Sequence, residues 1–202
     1  RSSASSANWF HVTSVCRHGL GAFAIACLAV STVWGQLPTT QLSSVFPPGG
    51  KVASTVDVTI SGADIDDVDR LLFSHPGITA QPKMAPATEF EPAKLIGQQF
   101  TVNIAADVPP GTYEARVAGR FGISNPRSFV VGALDEVVNT ATNDPKTAPV
   151  ATINQTVNGI VDGTNRDFLK LALKQGQRVL IDCQAQRIDS RLDGTLALTA
   201  PN

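Results

Sequence analysis

The stretch "TVDVTISG", residues 55–62, alternates apolar and polar side chains along its whole length. Apolar residues occupy every second position from Val56 to Ile60, and polar residues fill the positions between them. Successive side chains of a β-strand point to opposite faces of a sheet. The pattern therefore predicts a strand with one buried face, and the strand is expected to end at Gly62.

The same kind of pattern returns at several places further along the chain. "QFTVNIAAD" (99–107) and "VPPGTYEARVAG" (108–119) alternate on either side of a Pro-Pro-Gly turn, and "RLLFS" (70–74) and "RSFVVG" (127–132) are short apolar runs. Turn residues are frequent, since the chain holds 16 Gly and 13 Pro. Short strands with closely spaced turns predict an antiparallel sandwich over residues 38–134.

The remainder of the chain predicts a linker and a second β-rich block. Residues 135–151 are polar, contain two prolines, and indicate a linker. "DFLKLALKQGQRVLIDCQAQ" (167–186) predicts two alternating strands joined by a turn at 174–177, and a third strand begins after 192. Three or four strands in ~50 residues bury little surface. We therefore expect either a truncated sequence, which we favour, or another chain or domain covering the open edge.

The N-terminal region has the layout of an export signal. "CRHGLGAFAIACLAVSTVWGQLP" (16–38) has a basic start, an uncharged apolar core and small residues near Gly35. The pattern predicts that residues 1–35 are an N-terminal extension and signal peptide cleaved after Gly35. The apolar core is shorter than the ~20 residues that a membrane span needs. A retained anchor and a lipid attached at Cys27 are the alternatives. We expect a secreted, periplasmic or cell-surface protein that meets the membrane only through this segment.

Charge and cysteine content narrow the possible functions. The chain carries 16 basic and 17 acidic residues, and residues 1–35 contribute two arginines and no acid, so the rest has a net charge of −3. No run of Lys or Arg stands out, which argues against nucleic-acid binding. Beyond the signal only Cys183 remains, so neither an internal disulfide nor a cysteine-based zinc site is expected. Its alternating surroundings predict a buried, inert thiol on a strand.

Four aspartates lie within six positions directly after the predicted strand at 55–62: Asp64, Asp66, Asp67 and Asp69. A calcium-binding EF-hand loop needs glycine at its sixth position and a carboxylate at its twelfth. Counting from Asp64, those positions hold Asp69 and His75. We therefore predict a hydrated acidic turn, with a weak calcium site as the alternative.

No motif with catalytic spacing is found. His75 is the only histidine after residue 35, and a Ser–His–Asp arrangement would have to use it. It stands before a proline in "SHPG" (74–77), which indicates a turn residue. In the Asp-Gly-Thr runs at 162–164 and 193–195 Gly comes before Thr, whereas the signature of aspartic proteases is Asp-Thr/Ser-Gly. The two runs instead predict turns between strands. A phosphate-binding glycine loop is missing. We predict no catalytic residue, no cofactor and no enzymatic activity.

Aromatic residues are few, at 6% of the chain. Four phenylalanines fall on apolar faces of predicted strands and are expected in the core: Phe73, Phe100, Phe129 and Phe168. A sugar-binding surface would need exposed Trp or Tyr side chains. The residues themselves therefore give no support for sugar binding.

Two parts of the sequence resemble known domain families. "LSSVFPPGGKVASTVDVTISGADI" (42–65) and "FTVNIAADVPPGTYEARVAGRFGISNPRSFVVG" (100–132) resemble the IPT/TIG domains of bacterial surface and secreted proteins. "TVNGIVDGTNRDFLKLALKQGQRVLIDCQAQRIDSRLDGTLAL" (156–198) is similar to the start of a bacterial pre-peptidase C-terminal domain. This order of domains resembles large secreted proteins of planctomycete-type bacteria. The resemblance implies an immunoglobulin-like sandwich at 38–134, then an incomplete jelly-roll-like β-sandwich at 152–202.

The resemblance also implies a function. It points to a non-catalytic spacer or interaction module of an extracellular or envelope protein. Its partners would be other domains of the same polypeptide, or an extracellular protein or polysaccharide. The alternative is an accessory substrate-binding or maturation region of a secreted hydrolase, with the catalytic domain outside these 202 residues.

Overall fold

The computed structural model describes residues 37–139, 142–161 and 166–199. The predicted signal segment, with its cleavage position after Gly35 and with Cys27, lies outside these described residues. The strands are β1 (Gln41–Phe46), β2 (Gly49–Lys51), β3 (Ser54–Ala63), β4 (Val68–Phe73), β5 (Ile78–Ala85), β6 (Lys94–Ile104), β7 (Gly111–Gly119), β8 (Gly122–Ile123), β9 (Arg127–Gly132), β10 (Asp135–Val138), β11 (Val150–Ala151), β12 (Gln155–Asn158) and β13 (Lys170–Leu171). A 3₁₀ turn spans Gln186–Ile188.

Strands β1 to β9 form two sheets that face each other. One sheet has the order β1-β3-β6-β5, and the other has the order β2-β9-β7-β4, with β8 paired to the end of β7. This division is that of an immunoglobulin constant-type sandwich, in which strands A, B, E and D face strands C, F and G. The prediction of an all-β sandwich is confirmed.

The core is built from the alternating positions that the sequence predicted. Val58 and Ile60 of β3 are 1% exposed, and Phe100 of β6 is 2% exposed. On the facing sheet Phe129 is fully buried, and its ring centroid lies 4.9 Å from that of half-buried Phe73. Each large apolar side chain removed from water contributes roughly 1.5–3 kcal/mol. The core therefore holds the two sheets together.

The outer face of the first sheet carries the polar half of the same alternation. Asp57 of β3 accepts hydrogen bonds from Lys83 Nζ at 2.6 Å and from Thr101 Oγ1 at 2.7 Å. The hydrogen bond from Lys83, and then that from Thr101, lower the pKa of Asp57 below its ordinary value. Lys83 follows Pro82 on the edge strand β5. Both residue types discourage a further strand from pairing with an edge.

The chain crosses from one sheet to the other between β1 and β2. Pro47 and Pro48 separate the two strands, and prolines cannot donate to a strand ladder. Beyond them Gly49 pairs with Val130 in the only parallel pairing between two described strands of the sandwich. A Cβ atom on Gly49 would overlap the backbone carbonyl oxygen of Val130. The glycine is therefore needed for the close approach of β2 to β9.

The stretch predicted as a linker, 135–151, contains a strand at each end. β10 pairs in parallel with β12, and β11 pairs in parallel with β13. Asp135 accepts a hydrogen bond from Lys51 Nζ at 2.6 Å. Half-buried Glu136 accepts one from Asn158 Nδ2 at 2.7 Å. The segment after the sandwich is thus attached to β2 by an ion pair and to β12 by a strand ladder.

The two strands predicted in 167–186 need correction. Only Lys170–Leu171 of the first forms a strand, and the described residues 179–184 contain none. Cys183, predicted to be buried, is exposed, and Leu180 is 91% exposed. Phe168, predicted in the core, is half-buried. Alternation buries a face only where a neighbouring strand and a second layer cover it. In the described part of this block, regular structure is limited to short two-stranded pairs and the 3₁₀ turn.

Gly49→Ala is expected to lower the free energy of unfolding by about 1–3 kcal/mol, because β2 must move away from β9 to make room for the methyl group. Gly111→Ala is the matched control, since a Cβ there meets nothing within 4 Å. Urea unfolding of both variants measures the difference. Equal stability of the two variants would contradict the close approach.

Glu136→Gln is expected to alter the pH dependence of stability. Burial raises the pKa of Glu136 above its ordinary value, although the hydrogen bond from Asn158 partly opposes the shift. Because the folded pKa exceeds the unfolded one, the stabilisation is complete below the unfolded pKa and is lost as pH rises through the folded pKa. Urea midpoints at about pH 3.5 and about pH 7 should therefore show the parent losing stability relative to the variant at the higher pH. If the urea midpoints of the parent and of Glu136→Gln changed with pH in parallel, the raised pKa of Glu136 would be ruled out.

Candidate functional site

The acidic stretch after β3 forms a tight turn on the sandwich. Val68 N donates to the carbonyl oxygen of Ile65 at 3.2 Å, and Asp64 has a φ of 53°. Aspartate tolerates this left-handed conformation better than most residues. Ile65 is 3% exposed and Val68 is half-buried against the core. The two apolar side chains therefore fix the turn to the sandwich.

The four aspartates of this turn are all exposed to solvent. Asp69 Oδ1 lies 3.4 Å from Arg70 Nε, its neighbour in the chain. Within the described ranges, no group of three or more His, Cys, Asp or Glu side chains is arranged to hold a metal ion. The geometry is that of a hydrated turn, and the weak calcium site at Asp64, Asp66, Asp67 and Asp69 stays a prediction for experiment.

His75 lies in the turn between β4 and β5, where it contributes to local structure. Its Nδ1 accepts a hydrogen bond from Gly77 N at 3.1 Å. Its ring packs edge-on against Tyr113, with centroids 5.3 Å apart. Ser74 Oγ accepts a hydrogen bond from the backbone of Glu114 at 3.0 Å. Among the described hydrogen bonds and ion pairs, none joins His75 to a carboxylate or to a serine hydroxyl.

Tyr113 has a structural contact that the sequence reading missed. Its hydroxyl donates to the carbonyl oxygen of Pro109 at 2.7 Å, near the start of β7. This is the tyrosine corner that recurs at the same point of immunoglobulin-like sandwiches. The signal was available in "VPPGTY" (108–113), where a tyrosine follows the turn that leads into β7.

A groove of about 500 Å³ lies where the start of β1 approaches β7 and β9. We call it the arginine groove, because Arg116, Arg127 and Arg191 line it. The three arginines are far apart in the sequence, so a search for basic runs does not detect them. Only the pairing of strands and the position of the 3₁₀ turn bring them together.

One wall of the arginine groove is fixed by side chains that bind backbone. Asn125 Oδ1 accepts from Leu42 N at 2.9 Å, and Asn125 Nδ2 donates to Leu42 O at 2.9 Å. Ser124 is buried, and its hydroxyl accepts from Val117 N at 3.0 Å and donates to Asn125 O at 2.8 Å. Asn125 thus takes the place of a strand partner at Leu42 and links β1 to the segment between β8 and β9.

The arginines differ in how much of their hydrogen-bonding capacity is used. Arg116 donates from Nη2 to Glu114 Oε2 at 3.0 Å and from Nη1 to Ser124 O at 3.2 Å. Arg127 donates from Nε to Leu42 O at 2.9 Å. Arg191 makes no hydrogen bond or ion pair with another described residue. The guanidinium groups of Arg127 and Arg191 therefore keep donors for a ligand.

Arg191 reaches this position through the segment that precedes it. Asp189 follows the 3₁₀ turn and accepts a hydrogen bond from Ser128 N of β9 at 2.7 Å. Asp189 adopts the left-handed region with a φ of 63°, which aspartate tolerates. The Asp189 side chain thus attaches the segment around residue 189 to the start of β9, ahead of the residues that pair with β2.

Comparison with known proteins adds no assignment. No protein-family model matches the chain, and no curated protein matches it. In the portion of the chain that is described, no helix has the length and apolar composition needed to cross a membrane. The resemblance to IPT/TIG and pre-peptidase C-terminal domains therefore stays a prediction.

Calcium at about 1 mM is expected to leave the melting midpoint of the full chain unchanged, because the exposed aspartates do not converge on one point. A bound ion at a hundred times its dissociation constant would add about 2.7 kcal/mol to the folded state. A rise in the midpoint that disappears in Asp66→Asn would instead establish a calcium site at this turn.

Proposed function

We propose that the chain is a non-catalytic spacer and interaction module of an extracellular or envelope protein. The observation that supports this most directly is the parallel pairing of β2 with β9. In two parallel strands the chain runs the same way, so it enters β2 at one end of the pair and leaves β9 at the other. A sandwich with this topology suits a rod in which successive domains follow one another.

The same pairing suits a domain that carries mechanical load. Val130 N donates to Pro48 O at 2.9 Å, and Val52 N donates to Gly132 O at 2.8 Å, so the ladder extends beyond β2 itself. Tension applied to the two ends of the sandwich pulls β2 and β9 in opposite directions along their length. All the hydrogen bonds between them then share the load, rather than opening one after another.

The proposal includes the domain assignment and the location. We assign residues 38–134 to an IPT/TIG-like domain and residues 152–202 to the N-terminal part of a pre-peptidase C-terminal-like domain. Export through the predicted signal segment would place both outside the cytoplasm. The partners would be neighbouring domains of the same polypeptide or an extracellular protein or polysaccharide.

The use of the reactive side chains is consistent with a role other than catalysis. His75 accepts a hydrogen bond from the backbone of its own turn, and the Tyr113 hydroxyl donates to a backbone carbonyl. A general base needs to be within hydrogen-bond reach of the proton it removes. These two groups are instead engaged with the polypeptide that they stabilise.

The alternative function is an accessory substrate-binding region of a secreted hydrolase. One observation favours it: the arginine groove has donors that the described residues do not use. An accessory region would have a catalytic hydrolase domain beside it in the full polypeptide, whereas a spacer that also binds a partner would not.

Single-molecule pulling on the full chain, held at both ends, tests the spacer role. We expect one rupture event that releases residues 49–132, an extension of roughly 280 Å. Gly49→Ala should lower the rupture force, because it weakens the β2–β9 ladder, and Gly111→Ala should leave the force unchanged.

Two results would contradict the proposal. One is gradual extension without a rupture event, which would show that β2 and β9 do not resist tension. The other is hydrolytic turnover in a broad substrate screen that is lost in His75→Ala while folding is retained. The second result would identify a free-standing enzyme.

A further inference from the structure

We propose that the arginine groove binds the carboxylates of an acidic, extended peptide segment. This inference deepens the proposed function, because it names the chemical class of the partner. It rests on that function only in taking the chain to act by binding. A spacer without this site would still resist tension, so the two ideas can fail separately.

The chemistry of the groove favours carboxylate ligands. A guanidinium group carries five N–H donors in a plane and binds a carboxylate through two parallel hydrogen bonds. Arg127 uses its Nε for Leu42, and Arg191 uses no donor toward another described residue. Arginine keeps its charge at every physiological pH, so this recognition needs no proton transfer.

The charge balance of the groove is positive. Among the described residues that line it, none is acidic and three are arginines. Glu114 neutralises part of the charge of Arg116, and Asp189 lies nearby on the Ser128 amide. No described ion pair includes Arg127 or Arg191. An anion entering the groove therefore meets two arginines that no described carboxylate neutralises.

Two of the guanidinium groups are held in place before a ligand arrives. The Nε of Arg127 is bonded to the carbonyl of Leu42, a residue that is 1% exposed, and Nη1 of Arg116 is bonded to the carbonyl of Ser124. Fixing a long side chain in advance reduces the conformational entropy lost on binding. The guanidinium groups of Arg116 and Arg127 are therefore already positioned to bind an anion at the wall of the groove. Arg191 supplies a third contact that can adapt to the ligand.

The lining of the groove distinguishes between classes of anionic partner. Sugar rings and nucleobases bind through stacking on aromatic side chains, and the part of the groove lining that the structure describes contains no aromatic residue. It offers instead the hydroxyl-bearing residues Thr39, Thr40 and Ser43, together with Ile123, which is 64% exposed. Hydroxyls and the exposed side chain of Ile123 suit a peptide that carries carboxylates beside an aliphatic residue.

The test uses the full chain and a fluorescein-labelled hexaglutamate peptide at low ionic strength, with binding followed by fluorescence anisotropy. Arg191→Gln is expected to weaken binding about 5- to 10-fold. Arg191→Lys should give a smaller loss, because it keeps the charge and removes the planar pair of donors. Arg178→Gln is the matched control, since Arg178 is also exposed and does not line the groove; it should change the affinity less than about 2-fold.

Several outcomes would overturn the inference. Equal weakening by Arg178→Gln and Arg191→Gln would mean non-specific attraction to charge. Absence of hexaglutamate binding would remove the site. Tighter binding of polygalacturonate or of an oligothymidylate than of the peptide would assign the groove to another class of ligand. The rupture force of Arg191→Gln should match that of the parent, so a failure at the groove is separable from a failure of the spacer role.

Discussion

The close approach of β2 to β9 at Gly49 is the constraint on which the sandwich depends. The chain must leave the first sheet after β1 and join the second within a few residues, and two prolines interrupt the ladder at that point. A side chain at Gly49 would occupy the space of the Val130 carbonyl. Because β2 lies in the second sheet, β1 is the edge strand of the first sheet, and its outer edge can contact Asn125. The parallel pair and the groove wall both follow from this one crossing.

The sandwich could be predicted because the alternation of apolar and polar residues within a short segment indicates which of its side chains are buried. Residues 55–62 and 99–119 each show which side chains face inward, and the structure buries Val58, Ile60 and Phe100 as expected. Sheet order is not local, since it depends on which edges meet. The tyrosine corner at Tyr113 is partly predictable from sequence. Its local sequence can be recognised, but only once the order of the strands is known.

The second block shows where this kind of prediction fails. Residues 179–184 alternate as clearly as β3 does, yet in the described structure they form no strand, and Cys183 is exposed. Alternation indicates that one face of a segment is suited to burial, but the segment becomes a strand only where a neighbouring strand supplies backbone hydrogen bonds. The arginine groove escaped prediction for the related reason that it depends on contacts between distant segments. Arg191, for example, lies two residues after Asp189, which accepts a hydrogen bond from Ser128 of β9.

The sandwich uses most of its polar chemistry to hold backbone. Ser124 and Asn125 replace strand partners, and His75 and Tyr113 stabilise turns. A protein with few aromatic and few charged residues has little left with which to recognise a partner. The donors of Arg127 and Arg191 that no described residue uses are then significant, because they line a groove with one wall held in place by Ser124 and Asn125. The residues that stabilise the fold also determine the geometry with which the arginines can meet an anion.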